Sequence, residues 1–419
     1  MITALTDAIL FTGEAFVEGH ALLIRDGKIL DIVGNRKIPA DAKVASHGGK
    51  ILAPGFIDLQ VNGGGNVLFN NTPTEEACLA IAAAHRRYGT ARLLPTIISD
   101  TPEITRQAIA AARAARRKDK SILGIHIEGP HLGAVARGVH KEDYLRPLTG
   151  EDLRLYRREG DEIMLITVAP ECVPPAQIKQ LCAQGAIVML GHTNAAPEQI
   201  HAALKAGAKG FTHLFNGMDF NRGADGIKGP AKTALEDRDS WCSIIGDGHH
   251  VSAEMFRLAL KSKPGRIFLV SDAMAPSATK ESPPPRREGQ GGGREAWSGD
   301  SSSRSSVSAS PPLPQPLPQG EGSLSAPPAK SFELYGETIF IKDGRLVSSE
   351  GKLAGALATL GEAVQNCIKK FGIEPDEALR MASFYPAQFL GLDQSLGKLL
   401  PGFGADVAAM DIEFNVYES

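Results

Sequence analysis

Four residues close short apolar runs and carry side chains able to do hydrolytic chemistry. They are Glu128 in GIHIEG, His192 in VMLGHT, His213 in GFTHLFN and Asp272 in IFLVSDA. One carboxylate and two imidazoles with a position left open make a catalytic divalent-metal site, because a structural site would be closed by a fourth protein ligand. Zinc is the expected ion, and N/O sites of this kind also accept Fe²⁺, Co²⁺ or Mn²⁺ according to supply. A carboxylate at Asp272, beside water activated by the metal, can accept a proton and then pass it to a leaving amine. Its plainer alternative is to cap the segment that follows.

Further polar residues gather at the same kind of position. Gln60 and Asn62 in FIDLQVN stand where a two-metal hydrolase would carry His-x-His. His126 lies two residues before Glu128, so strand alternation puts both on one face, where His126 either supports the site or fills the interior. His131 and His140 follow Glu128 in a loop, as part of a lid or as exposed histidines. Glu171 in TVAPE is read as a supporting or capping group. His249 and His250 would face opposite ways on a continuing strand, so at most one of them meets a substrate.

The elements that must position these residues can be read from the chain's rhythm. From Pro54 onward eight apolar runs occur: FIDLQVN, RLLPTIIS, ILGIHIEG, IMLITVAPE, AIVMLGHT, GFTHLFN, CSIIGDGHH and RIFLVSDA. Most are separated by helix-length segments with Ser, Thr or Pro starts and Gly ends. This predicts an α/β fold, a (β/α)8 TIM-like barrel over 54–392, in preference to a doubly wound open sheet. Residues 1–53 read as short antiparallel strands with a turn at Asp26-Gly27. GADVAAMDIEFNVYES reads as strand that returns to them, so 1–53 and 393–419 together form a small β-sandwich. Residues 277–330, rich in Pro, Gly and Ser, interrupt the barrel as a low-complexity insertion expected to be disordered. After it, SFELYGETIFIKDGRLV reads as a hairpin around Asp343-Gly344, followed by two helical segments.

Bulk composition narrows the partners. The 419 residues are 42% hydrophobic and 22% charged with a formal net charge of -3, which offers no basic surface for nucleic acid and points to a small-molecule partner. The five cysteines carry no CxxC pair, as in a reducing cytosol. No secretory signal or run of eighteen apolar residues occurs, so a cytoplasmic protein without membrane spans is expected.

With these residues in place the chain resembles the N-acetylglucosamine-6-phosphate deacetylase family of the amidohydrolase superfamily. The pieces PGFIDLQVNGGG, GIHIEGPHL, TVAPE, GHTNA, THLFNGM, DGHHV, LVSDAMAP, GKLAGA and ASFYPAQFLG carry the resemblance, in order, from residue 54 to about 391. The resemblance implies removal of acetate from N-acetyl-D-glucosamine 6-phosphate in amino-sugar catabolism, through a metal-bound hydroxide with an Asp general base and acid. It implies Glu128, His192 and His213 as metal ligands and Asp272 as the catalytic aspartate. Val139, Asn216, Gly217, His250 and Leu353-Ala354-Gly355 match substrate-binding positions, and Arg222 is a phosphate partner by its paired donors. A homodimer is implied as well.

Other readings stay in view. An amidohydrolase acting on a cyclic amide or aminated base would keep His-x-His and a lysine on the fourth strand, where this chain has Pro170-Glu171. A non-catalytic homologue would lose metal ligands. With both features of a two-metal site absent, one ion is expected, and Gln60 and Asn62 are expected to hydrogen-bond near the water. Two departures bear on activity: the insertion starts close behind Asp272, and the chain stops at NVYES where the family continues, which implies a shortened sandwich. Deletion of 281–330 is expected to leave folding and turnover intact.

Overall fold

The computed structural model describes residues 1–218, 222–223, 226–279 and 331–417. All eight apolar runs form parallel strands of one sheet: Phe56–Val61, Thr90–Ile98, Gly124–Glu128, Ile163–Val168, Ile187–Leu190, Gly210–Phe211, Trp241–Ile245 and Ile267–Val270. They neighbour one another in chain order, as in a barrel wound by successive right-handed crossovers. The fourth strand, IMLITV, is buried along its whole length, which is why its sequence reads as a continuous apolar run without alternation.

The helices outside are held by the caps their sequences carry. Thr101 caps Pro102–Lys118, whose buried face is Thr105, Ala108, Ile109, Ala112 and Ala115 at helical spacing. Small residues on that face let the helix lie close against the barrel. Thr359 and Glu362 form a reciprocal capping box for Leu360–Lys369.

Two expectations change. The sixth run is a strand only at Gly210–Phe211, because the backbone turns left-handed at His213 (φ 31°) and again at Phe215 (φ 77°). EPDEALRMASFYPAQFLG is two helices, Pro375–Ala382 and Phe384–Leu390. They part at Ser383, since Pro386 has no N–H to continue the ladder and its ring crowds the preceding turn.

Both chain ends meet in a β-sandwich. One sheet runs Val416–Tyr417, Val407–Met410, Ile51–Pro54, Ile9–Phe11, Phe16–Val17; the other runs Lys28–Gly34, His20–Arg25, Thr3–Thr6, Lys43–Ser46. Val407–Met410 pairs antiparallel with Ile51–Pro54, Ala409 opposite Leu52. Leu10, Leu22, Ile29, Leu52 and Leu399 pack in the sandwich interior. Asp26 and Gly27 take φ of 52° and 70°, as the two-residue hairpin turn requires.

The proposed insertion at 277–330 lies outside the described residues from Lys280 onward. Its first residues belong to the fold: Ser277 and Ala278 are buried, Gly65 N–H donates to Ser277 O at 2.7 Å, and Tyr88 Oη donates to Thr279 O at 2.6 Å. Beyond it, Ser331–Leu334, Glu337–Lys342 and Arg345–Val347 form a three-stranded antiparallel flap. Besides the expected turn at Asp343-Gly344, it has a second at Tyr335-Gly336, where an aromatic side chain hides the turn signal.

Candidate active site

The four chemistry-bearing residues come from four strand ends. Glu128 is the last residue of the third strand. His192, His213 and Asp272 each stand two residues beyond the end of their strands, at Leu190, Phe211 and Val270, with φ of 48°, 31° and 52°. Left-handed backbone is unfavourable for side chains larger than glycine, by about 1–2 kcal/mol per residue. Strain repeated at three equivalent positions is the pattern of a functional site maintained by its surroundings.

Those surroundings are visible at each position. Beyond His192, Thr193 N–H donates to Gly217 O at 2.9 Å, and Glu171 accepts from Thr193 Oγ and, at 3.0 Å, from Asn194 N–H. His213 N–H donates to Ser243 Oγ at 2.7 Å. Asp272 N–H donates to Gln60 O at 3.0 Å, and Asp272 O accepts from Ala356 N–H at 2.9 Å.

The ligand atoms converge. Glu128 Oε1 lies 2.7 Å from His213 Nε2 and 3.2 Å from His192 Nε2, and the two nitrogens are 3.1 Å apart. Burial opposes charge on Glu128, but its hydrogen bonds to His192 and His213 outweigh that and hold it well below the usual carboxylate range. Burial likewise opposes charge on His213, and Glu128 overrides it to raise the imidazole. The charge-paired trio matches the donor set of a divalent ion.

Glu128, His140 and His192 also offer ligand atoms within 4.8 Å of one another. The tautomers decide between the two trios. His192 Nδ1–H donates to Ala136 O at 2.9 Å, which leaves the Nε2 lone pair for an ion. His140 Nδ1 accepts from Ser99 N–H at 3.3 Å and contacts Ser99 Oγ at 2.7 Å, so its proton sits on Nε2, 4.0 Å from Glu128 Oε2. A nitrogen that carries a proton is a donor, so His140 offers an N–H, and His213, whose Nε2 lies 2.7 Å from Glu128 Oε1 and 3.1 Å from His192 Nε2, is left as the third ligand.

Gln60 and Asn62 serve the carboxylates, and Asn62 also lines the cavity beside them. Gln60 Nε2 donates to both Glu128 Oε2 and Asp272 Oδ1 at 3.1 Å, and Asn62 Nδ2 donates to Asp272 Oδ1 at 2.7 Å. Among the described residues no hydrogen bond falls on Asp272 Oδ2, so that oxygen is the one placed to exchange a proton. Burial, then the neighbouring Glu128 charge, pushes the Asp272 carboxyl up to about 6, the range of a base working near neutrality.

A cavity of about 150 Å³ opens on this cluster. It is lined by Asn62, Glu128, His192, His213 and Asp272 together with Val139, His140, Asn216, Gly217, His250, Leu353 and Gly355. His250 Nδ1–H donates to Asp247 Oδ2 at 2.7 Å, while Asp247 Oδ1 accepts the backbone N–H of both His249 and His250. The strand has ended by then, so a turn and not strand alternation separates exposed His249 from His250. Burial raises the Asp247 carboxyl, but the His250 hydrogen bond outweighs it and brings it to about 2.

Several expected residues lie elsewhere. His126 fills the interior, Nε2 2.8 Å from Thr167 Oγ1 and Nδ1 3.3 Å from Thr96 Oγ1. His131 is neither lid nor exposed: it is buried, with Nδ1–H on Arg146 O at 2.9 Å and Nε2 3.2 Å from Tyr156 Oη. Ala354 is buried beside the cavity, its N–H on Leu346 O at 3.0 Å. Arg222 lies on a two-residue strand paired with Gly226–Ile227, and its side chain lies outside the described residues. Ser99, Ser243 and Met274 contribute without having been anticipated; nothing in their local sequence marks them.

A larger cavity of about 220 Å³ lies beyond Gly138 and Val139. It holds none of the four chemistry-bearing residues, and its cations Arg137, Lys141 and Lys352 are paired with Glu142, Asp143 and Glu350.

Residues 342–418 match the amidohydrolase family and residues 3–52 match the NagA composite domain. The chain is 33% identical over 362 residues to an N-acetylgalactosamine-6-phosphate deacetylase of Shewanella sp. (strain ANA-3), covering 86% of this chain and 79% of that one. It is 30% identical to an N-acetylglucosamine-6-phosphate deacetylase of Homo sapiens, covering 97% and 92%. The solved N-acetylglucosamine-6-phosphate deacetylase from Pasteurella multocida superposes with a TM-score of 0.84 at 30% identity, covering 99% and 97%.

Proposed function

The chain belongs to the N-acetylglucosamine-6-phosphate deacetylase family of amidohydrolases, and from that premise we propose that it hydrolyses N-acetyl-D-glucosamine 6-phosphate to D-glucosamine 6-phosphate and acetate. The observation that carries this reading is the convergence of Glu128, His192 and His213 next to an Asp272 that keeps one oxygen free of hydrogen bonds among the described residues. The three ligand residues would hold one divalent ion, zinc foremost, with Fe²⁺, Co²⁺ or Mn²⁺ as substitutes. Such an ion polarises an amide carbonyl and lowers the pKa of water bound to it.

This chain's own residues do the rest. Asp272 Oδ2 takes the proton of the attacking water and returns it to the departing amine. Gln60 and Asn62 keep Oδ1 occupied as an acceptor, which reserves Oδ2 for the proton. His140, with its proton on Nε2, offers a donor to the oxygen of the acetyl group as negative charge builds there. His250, its Nδ1–H donated to Asp247, presents Nε2 as an acceptor to a sugar hydroxyl. Val139, Asn216, Gly217, Leu353 and Gly355 line the cavity that would enclose the sugar, with Ala354 behind them, and Arg222 is proposed by its residue type to pair with the phosphate. Work as a homodimer in the cytoplasm fits this reading, and among the described residues no helix is long and apolar enough to cross a membrane.

The Shewanella relative favours a second substrate, N-acetyl-D-galactosamine 6-phosphate. Metal content measured together with acetate release from both 6-phosphates and from unphosphorylated N-acetylglucosamine separates the readings. Faster release from the glucosamine phosphate is expected; faster release from the galactosamine phosphate selects the second reading. Metal-loaded protein that releases acetate from none of them overturns both.

A further inference from the structure

Among the described residues the first and eighth barrel strands are joined by a single isolated bridge, Val61 opposite Ala273, where other neighbouring strands form ladders. This seam is where the barrel closes, and it carries Gln60, Asn62 and Asp272. Backbone groups that would pair in a ladder need another partner, since a buried unpaired amide costs about 1–3 kcal/mol.

Asp58 supplies that partner. It is fully buried, and its Oδ1 accepts one N–H from each side of the seam, Gln60 N–H at 3.3 Å and Ser271 N–H at 3.2 Å. Two further bonds close around it: Asp272 N–H to Gln60 O at 3.0 Å and Ser271 Oγ to Gln60 O at 3.3 Å. Both backbone amides that Asp58 holds immediately support the proton-transfer group, since Gln60 donates its side chain to Asp272 and Ser271 precedes Asp272. Asp58 Oδ2 has no partner among the described residues.

We propose that Asp58 is a positioning residue, a carboxylate clip that reinforces the short backbone pairing between the first and eighth strands and so aligns Asp272 with Gln60 for proton transfer. The inference rests on Asp272 being the proton-transfer group. Burial pushes the Asp58 carboxyl up to about 7, so a neutral acceptor of the same shape can replace it. Asp58→Asn therefore keeps the clip and Asp58→Ala removes it.

The test compares acetate release, metal content and KM for the full-length wild type, D58A, D58N and D272N. In D58A, kcat should fall about 10–100-fold, with metal content unchanged and KM within about twofold, because orientation and not binding is lost. D58N should recover to within about threefold of wild type. Equal losses in D58A and D58N, or a D58A kcat equal to that of wild type, overturn the proposal. If D58A does not fold, D58S takes its place, and its single short acceptor should give an intermediate kcat; full activity in D58S overturns the proposal. Undiminished activity in D272N instead fails the assignment of Asp272 and is read separately.

Discussion

Gly217 lies against the ring of His192 so closely that a Cβ built on it would stand 2.6 Å from Nδ1, and its φ is +56°. The same Nδ1 donates to Ala136 O, which sets the tautomer that frees Nε2 for an ion. Gly217→Ala should therefore tilt the ring, weaken metal binding and cost about 1–3 kcal/mol of stability through crowding. Urea unfolding and metal analysis of G217A check this; stability and metal content equal to wild type count against it.

The acid side of the pH profile should report Asp272. Burial and Glu128 push its carboxyl up to about 6, and the Asn62 bond pulls the other way. Asp272 works ionised, so activity is present above its pKa and falls as pH drops through it. Asn62→Ala removes a stabilising donor, so the acid limb of kcat/KM should move upward by about half to one pH unit. A limb that stays in place would argue against Asp272 as the base.

Glu171 touches no ligand atom, yet it clasps the turn directly after His192 through Thr193 and Asn194. Glu171→Ala should leave the barrel folded while loosening the ion about 10–100-fold, as loss of an outer support of a metal ligand does. Competition with a chelator measures this, and an unchanged dissociation constant would restrict Glu171 to a role in the loop.

Asp152 ties down the loop that follows the third strand. Burial raises its carboxyl, but the Arg146 and Thr149 hydrogen bonds outweigh that and bring it to about 2, below its ordinary value of 3.8. A lowered carboxylate contributes stability that is complete above its unfolded pKa and disappears as pH falls through the folded one, here from about 4 to about 2. Asp152→Asn should cost about 1–2 kcal/mol at pH 7, less than the full shift because Arg146 is partly exposed to solvent. In urea unfolding the gap between wild type and D152N should begin to narrow below about pH 4; a constant gap would mean the charge on Asp152 is not what matters.

The amino-acid sequence determined the elements and the inventory of the site. Period-two and continuous apolar runs marked eight strands, Ser, Thr and Pro marked helix starts, and polar residues just past the runs named Glu128, His192, His213 and Asp272. Those are local signals, set by side-chain periodicity and caps within a few residues. Tertiary structure alone decided which groups face one another. Whether His140 offers a lone pair or a proton depends on Ser99, over forty positions away, and the backbone of His213 is held by Ser243, thirty positions on. The duties of Gln60, Asn62 and Asp58 became definite only where the first strand meets the eighth, more than two hundred residues along the chain. A hydrogen bond needs its partner within about 3 Å, and barrel closure brings those partners together in space from positions that local sequence cannot relate.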